Sequence, residues 1–153
     1  MKKTIRLNET EMTFKSSAAT NILYKRAFGD DIVVKLTSYT KNLKELKNMQ
    51  AHVAELRKDT SKTQEEILAE MQTMMNSEAF ISSQTFANEV LPKLAYIMWL
   101  EANEEQRTIF DKLNEASYLS WLMTIDQDEL LTVTGQVMEI WQAGTRNTSK
   151  PKN

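Results

Sequence analysis

The residues that could carry catalysis or bind a metal are few, and they are not grouped. His52 is the only histidine and the chain has no cysteine, so the sequence offers no histidine- or thiolate-rich metal site. Three glycines are too few for a glycine-rich phosphate loop. The neighbouring carboxylates of Glu104 and Glu105, and of Asp30 and Asp31, point in different directions on a helix. We therefore expect no enzymatic activity, no cofactor and no metal.

Two further carboxylates have a spacing that needs interpretation. Asp126 and Asp128 are spaced like calcium ligands, but the glycine and the later glutamate of a calcium loop are absent. The run from Asp126 to Glu129 instead fits a capping box, in which the first and fourth residues satisfy backbone N–H groups at a helix start. Thr63 and Glu66 fit the same pattern. We expect a helix to begin at each place.

Side chains suited to protein contact are more frequent than catalytic ones. The chain has nine methionines, and Met71, Met74 and Met75 fall at helical spacing. Unbranched thioether side chains adapt to irregular or changing partners, so these three are candidate partner-binding residues. Ordinary core packing is the alternative for each of them, and core packing is also expected for most of the three tryptophans.

The spacing of apolar residues changes near Ser16. Before it, apolar and polar residues alternate around the turn-like cluster Asn8–Thr10, which predicts a β-hairpin over about residues 3–15. After it the period is helical: Ser16 or Ser17 can cap a first helix, Ala18, Ile22 and Phe28 can line its inner side, and Gly29 can end it. We predict an α+β fold, mostly helical, with an N-terminal β-hairpin packed on a multi-helix domain.

Asp30 or Asp31 can cap the next helix. That helix carries a heptad-like apolar stripe. Its members are Leu36, Tyr39, Leu43, Leu46 and Val53. Such a stripe is typical of a coiled-coil contact between subunits, and these residues are candidates for self-association. It is equally typical of an amphipathic helix that lies on its own core. The sequence leaves both alternatives open.

Composition divides the rest of the chain. Residues 1–56 form a hairpin with helices, the polar run 57–62 is a loop and the expected boundary, and residues 63–144 form a helical part. Within that part we expect a buried central helix over about 84–101, containing Pro92, and another helix over 104–114. Gly144 is expected to end the last helix, and residues 145–153 to form a disordered basic tail.

Charge is unevenly distributed along the chain. Residues 1–60 carry a net charge of +5 and residues 61–153 a net charge of −7. The basic residues are scattered and have no aromatic residues interleaved for base stacking, so nucleic-acid binding is not favoured. No apolar run is long enough to cross a membrane, and we expect no membrane contact.

The N-terminal region resembles a known protein family. A hairpin ending in phenylalanine, a small-residue helix start, and then Tyr, a basic residue, Phe-Gly and Asp before an aliphatic residue are typical of the tail assembly chaperones of long-tailed (siphovirus-type) phages and prophages of Gram-positive bacteria. The matching residues are Phe14, Ala18, Ala19, Tyr24, Lys25, Phe28, Gly29, Asp31 and Ile32, with Trp121 and Trp141 in corresponding order later. Asp30 departs from the basic residue common there, and residues 41–80 do not align.

The resemblance implies a non-enzymatic function. Such a chaperone binds the tape measure protein, keeps its hydrophobic helices soluble, and assists polymerisation of the major tail (tube) protein around it. It acts in the host cell cytoplasm and is not in the mature virion. Many members are also made in a longer, frameshifted form. The alternative is a small helical adaptor or regulator, including one that binds nucleic acid through the basic N-terminal half.

Overall fold

The computed structural model describes residues 1–147 and is an α+β fold that is 74% helical. Strands β1 (Lys2–Arg6) and β2 (Glu11–Lys15) form an antiparallel hairpin. The helices that follow are α1 (Thr20–Phe28), α2 (Ile32–Lys58), α3 (Gln64–Met75), α4 (Glu78–Thr85), α5 (Leu91–Asn103), α6 (Gln106–Ile109), α7 (Glu115–Leu122) and α8 (Gln127–Asn147). A π-helical turn (Phe86–Val90) precedes α5, and a 3-10 turn (Phe110–Lys112) follows α6. The predicted fold class is confirmed.

The described chain divides into two compact units. The first contains Met1–Val33 and the chain from Glu89 onward, and the second is Val34–Asn88. We call the second unit the helix pair, because α2 forms one of its two legs and α3 with α4 forms the other. The boundary expected at residues 57–62 falls inside this unit, at the turn between α2 and α3. Both observed boundaries lie within helical segments, where no change in composition marks them.

Helix α5 is the centre of the first unit. Leu94, Ala95, Ile97, Met98 and Leu100 are fully buried, and the helix contacts β2, α8, α1 and α7. The expected buried helix is therefore present from its middle onward, while α4 and the π-helical turn occupy its first residues. Pro92 lies in the first turn of α5, a position where its missing N–H is tolerated.

The β-hairpin contributes its apolar face to this core. Ile5, Leu7 and Phe14 are buried, and Met12, which lies opposite Ile5 in the register, is half-buried. The hairpin is held to α5 by the Asn103 side-chain amide, which donates to the Thr13 carbonyl at 2.9 Å. The predicted hairpin and its apolar face are confirmed.

Helix α1 begins differently from the prediction. Its N-cap is Ala19, which makes no side-chain cap bond, so neither serine caps the helix. The Ser16 hydroxyl donates instead to the Ile140 carbonyl at 2.6 Å. The Ser17 hydroxyl accepts from the Ala19 N–H at 3.1 Å and donates to Glu101 at 2.5 Å. Both serines are used for tertiary contacts, which sequence spacing does not reveal.

The inner side of α1 also differs. Thr20, Leu23 and Tyr24 are buried, whereas Ile22 is 68% exposed and Ala18 is exposed. The face of α1 that packs on the core is therefore the one that carries Thr20, Leu23 and Tyr24, and it differs from the predicted face.

Several helix ends agree with the sequence. Gly29 has a φ of +80° and its N–H donates to the Lys25 carbonyl at 2.7 Å, as expected of a left-handed helix end. Asp31, Thr63 and Asp126 accept from the backbone N–H groups of Val33, Glu66 and Glu129 at 2.9, 3.2 and 2.9 Å. The region expected to be helical over 104–114 contains only α6 and the 3-10 turn.

The end of α8 corrects another expectation. Gly144 does not end the helix, which continues to Asn147. A Cβ atom at Gly144 would lie 1.9 Å from the Ser16 Oγ, so glycine is required here for close approach of α8 to the turn after β2. Of the tail expected to be disordered, residues 145–147 therefore belong to α8, and residues 148–153 lie outside the described chain.

The two legs of the helix pair are antiparallel. The Tyr39 and Phe86 rings stack at 4.1 Å, His52 lies 3.9 Å from Glu70, and the Arg57 guanidinium donates to the Met71 sulfur at 3.3 Å. The start of α2 thus contacts the end of the second leg, and the later part of α2 contacts α3, which is the antiparallel arrangement.

The apolar stripe of α2 lies on the inner side of this pair. Leu46 and Val53 are buried, and Leu36, Tyr39 and Leu43 are half-buried. This placement favours the internal alternative for the stripe, because its side chains pack within the chain.

Candidate functional site

The residues first considered for catalysis are dispersed. His52 makes its contact with Glu70 at the surface, where both side chains are at least half exposed. Asp126 is occupied as a helix cap, and Glu129 completes the capping box by accepting from the Asp126 N–H at 3.3 Å. Within residues 1–147, no three acidic or histidine side chains are grouped as a metal site would need.

The residues that carry the family resemblance form much of the first unit's interior. Phe14, Tyr24, Ile32, Trp121 and Trp141 are buried, while Ala18, Ala19 and Asp31 are exposed. Most of these positions build the fold, and Ala19 also lines the groove described below.

Phe28 contacts aromatic rings on both α1 and α7. Its half-buried ring lies 5.2 Å from that of Tyr24 and 5.4 Å from that of Tyr118, and the Lys93 ammonium lies over it at 5.1 Å. Tyr118 continues the aromatic contacts to Tyr96, which contacts Trp121. Burial raises the pKa of the Tyr118 hydroxyl to about 12, so it is neutral in the folded protein.

The three candidate methionines do not share one surface. Met71 and Met74 are half-buried on the inner side of α3, whereas Met75 is 52% exposed. Only Met75 is therefore available to a partner without rearrangement of the helix pair.

An open groove in the first unit is the most developed candidate binding surface. It lies between α1 and the segment formed by α6 and the 3-10 turn, and it comprises depressions of about 730 and 450 Å³ that share Phe110. Leu23, Ile109 and Leu113 are buried at its base. The Phe110 ring is 55% exposed, and the Arg26 guanidinium lies 5.0 Å from its centroid.

The exposed wall of α1 extends this apolar surface. Ile22 lies three residues after Ala19 and four before Arg26, so these residues share one face of the helix. Ala19 and Arg26 line the two depressions. Ile22, with most of its side chain in solvent, is thus at the edge of the groove.

One end of the groove contains a carboxylate held by hydroxyl groups. Glu101 accepts from Ser17 at 2.5 Å and from the Thr20 hydroxyl at 2.6 Å. Burial raises the pKa of Glu101, and the two hydroxyl groups and nearby positive charge oppose that effect. Glu101 fixes the start of α1 against α5 and so shapes the wall of the groove.

A second carboxylate fixes the opposite wall. Glu104 accepts from the Lys112 ammonium at 2.5 Å and from the Thr108 hydroxyl at 3.0 Å, and the hydrogen bond from Lys112 is the main reason that the pKa of Glu104 is lowered. With Glu101 and Glu104 engaged, Lys15, Glu105 and Arg107 remain as the charged rim.

This arrangement is suited to binding a helix. A partly buried apolar base, an exposed aromatic wall and a charged rim can accept the apolar face of an amphipathic helix. Sequence reasoning missed Phe110, because the expected helix over 104–114 gave no reason to separate it from its neighbours. The four-residue spacing of Ile109 and Leu113 could have indicated it. These two residues face the core, and Phe110, next to Ile109, therefore lies to one side of the buried face.

Among the described residues, no helix is both long and apolar enough to span a membrane. Comparison of the chain with protein-family models, curated proteins and solved structures finds no significant match to any of them.

Proposed function

We propose that this protein is a tail assembly chaperone of a long-tailed phage or prophage, which binds the tape measure protein and assists polymerisation of the tail tube protein. The proposal begins from the order of motif residues between Phe14 and Ile32 and of Trp121 and Trp141. In this role the protein acts in the host cell cytoplasm, is left out of the mature virion and catalyses no reaction.

The observation that carries the proposal is the groove beside Phe110. A chaperone of long amphipathic helices needs an accessible apolar surface that can bind many similar segments weakly and repeatedly. Phe110 and Ile22 leave 55% and 68% of their surface exposed beside a base of buried aliphatic side chains. Apolar residues at positions i, i+3 or i+4, and i+7 of a helix would face this base.

The charged rim gives the second supporting argument. Lys15, Glu105 and Arg107 carry both signs of charge around the groove, so a bound helix with mixed charges on its flanks finds partners in either orientation. Exposed ion pairs contribute little affinity. The apolar contact therefore dominates, and moderate salt should leave the complex intact.

Co-expression with the tape measure protein encoded beside this gene tests the proposal. We expect the wild-type protein to keep that partner soluble and to co-elute with it. Phe110→Ser should lower recovery of the complex by about tenfold or more, as for an exposed interface aromatic, and Ile22→Ser should act in the same direction. Leu131→Ser is the matched control, because Leu131 is 65% exposed on α8 and does not line the groove.

The possible outcomes separate the function from its site. An insoluble tape measure protein, with both the wild-type chain and a frameshifted longer form, would contradict the proposed function. A soluble complex that Phe110→Ser and Ile22→Ser leave unchanged would retain the function and exclude the groove.

A further inference from the structure

We propose that the helix pair binds the helix pair of a second copy of this protein, with the lysine side of one against the acidic side of the other. The lysine side contains Lys44 and Lys47, and the acidic side contains Glu45, Glu66, Glu70 and Glu78. This inference rests on the charges and geometry of residues 34–88 and does not depend on the proposed function.

Inward-facing residues of the helix pair divide the remaining positions into two sides. On α2 the inward residues are Leu36, Tyr39, Leu43, Leu46 and Val53, and on the other leg they are Ile67, Met71, Met74, Ala79 and Phe86. Successive residues of a helix are about 100° apart, so the residue before and the residue after each inward position lie on opposite sides. In an antiparallel pair, the preceding residues of both helices share a side. The contact between His52 and Glu70 is the direct demonstration, because each directly precedes an inward residue.

The preceding positions form the acidic side. Exposed residues at these positions include four glutamates and one lysine: Lys35, Ser38, Glu45, His52, Glu66, Glu70, Thr73, Glu78 and Thr85. Two of the glutamates have a partner in the chain: Glu66 lies 3.8 Å from Lys62 and Glu70 lies 3.9 Å from His52. These groups are about half exposed, and such surface pairs are weak, so the carboxylates remain accessible to another cation.

The following positions form the lysine side. They are Thr37, Thr40, Lys44, Lys47, Ala54, Leu68, Gln72, Met75, Phe80 and Ala87. Lys44 and Lys47 are exposed, and within residues 1–147 neither ammonium has a carboxylate within ion-pair distance. Leu68 and Met75, seven residues apart, leave 57% and 52% of their surface exposed. This side therefore combines uncompensated positive charge with apolar surface.

The helix pair also has little interior of its own. Its buried apolar residues are Leu46, Val53, Ala79 and Phe86. Helices obtain most of their stability from packing an apolar face, so a further helical neighbour would stabilise this unit. Lysines of one copy facing glutamates of the next would fix the side on which the copies meet. Such a contact leaves the acidic side of one copy and the lysine side of the other free, so association would continue beyond two copies.

Paired charge reversals test this arrangement by sedimentation. Lys44→Glu with Lys47→Glu makes both sides acidic, and Glu66→Lys with Glu70→Lys makes both sides basic. Each variant alone should weaken self-association by about tenfold or more, since attraction is replaced by repulsion. An equimolar mixture should associate again, and so should one chain carrying all four changes, in which the two sides are exchanged. Lys2→Glu with Lys3→Glu is the charge-matched control in β1 and should associate like the wild type.

Recovery of association in the mixture distinguishes a charge effect from misfolding, because a variant that had lost its structure would not associate on mixing. A wild-type protein that remains monomeric at high concentration would overturn the proposal, as would two variants that fail to associate when mixed. Binding of duplex or single-stranded DNA by a monomeric wild type, lost in the Lys44 and Lys47 variant, would assign the lysine side to nucleic acid and equally overturn it.

Discussion

Glu101 joins three parts of the first unit through one side chain. It lies on α5 and accepts from Ser17 in the turn after β2 and from Thr20 in the first turn of α1. Because burial raises its pKa above the ordinary value of 4.5, the folded protein binds the proton more tightly than the unfolded chain. The contribution of Glu101 to stability therefore decreases as pH rises through the interval between the ordinary and the raised pKa.

Glu101→Gln should reveal this dependence. The amide retains an acceptor and does not ionise, so the free energy of unfolding of the variant should improve relative to wild type as pH is raised from 4.5 towards neutrality. Denaturant titrations across that range measure the difference. Glu104→Gln should show the opposite pH dependence of the stability difference. The pKa of Glu104 is lowered, so the stability that its carboxylate supplies is lost as pH falls. A pH-independent difference for Glu101→Gln would refute this reading.

Helix α8 depends on the absence of a side chain at one position. Gly144 faces the turn after β2, and an added Cβ would lie 1.9 Å from the Ser16 Oγ, 2.7 Å from its Cβ and 3.0 Å from its carbonyl carbon. The same serine donates to the Ile140 carbonyl one turn earlier. Because the backbone carbon is among the close atoms, rotation of the Ser16 side chain cannot relieve the overlap.

Gly144→Ala should therefore destabilise the protein by about 1–3 kcal/mol, as overpacking does, although alanine favours helix. Gly135→Ala is the matched control on the same helix, since its added Cβ meets nothing within 4 Å. It should stabilise by up to about 1 kcal/mol from helix propensity alone. Thermal unfolding of the two variants measures the contrast, and effects of the same sign would contradict it.

Contacts between residues close in sequence were predictable, and contacts between distant residues were not. Helix starts at Asp31, Thr63 and Asp126 were predictable because a cap and the N–H groups that it satisfies are neighbours in sequence. Ser16 was misassigned because its partner, Ile140, is 124 residues away. The groove was not predictable for the same reason: its base combines Leu23 with Ile109 and Leu113, and only the folded chain brings these together.

For the whole molecule, the division into units was the least predictable property. Composition indicated a boundary in the polar run 57–62, but that run is a turn inside the helix pair. The actual boundaries lie within α2 and the π-helical turn, where a periodic helical sequence continues without interruption. The sequence predicted the hairpin, the buried character of α5 and the apolar stripe of α2, because each depends on local periodicity.

The positions of the indole rings have a spectroscopic consequence. Trp99, Trp121 and Trp141 all belong to the first unit, so tryptophan emission reports on that unit, whereas helical ellipticity reports on both. With its sparse interior, the helix pair should lose ellipticity at lower denaturant concentration than that at which the emission changes. Coincident curves would instead identify a single cooperative transition. A tryptophan placed at Tyr39, where it can stack on Phe86, would give the helix pair an emission signal of its own.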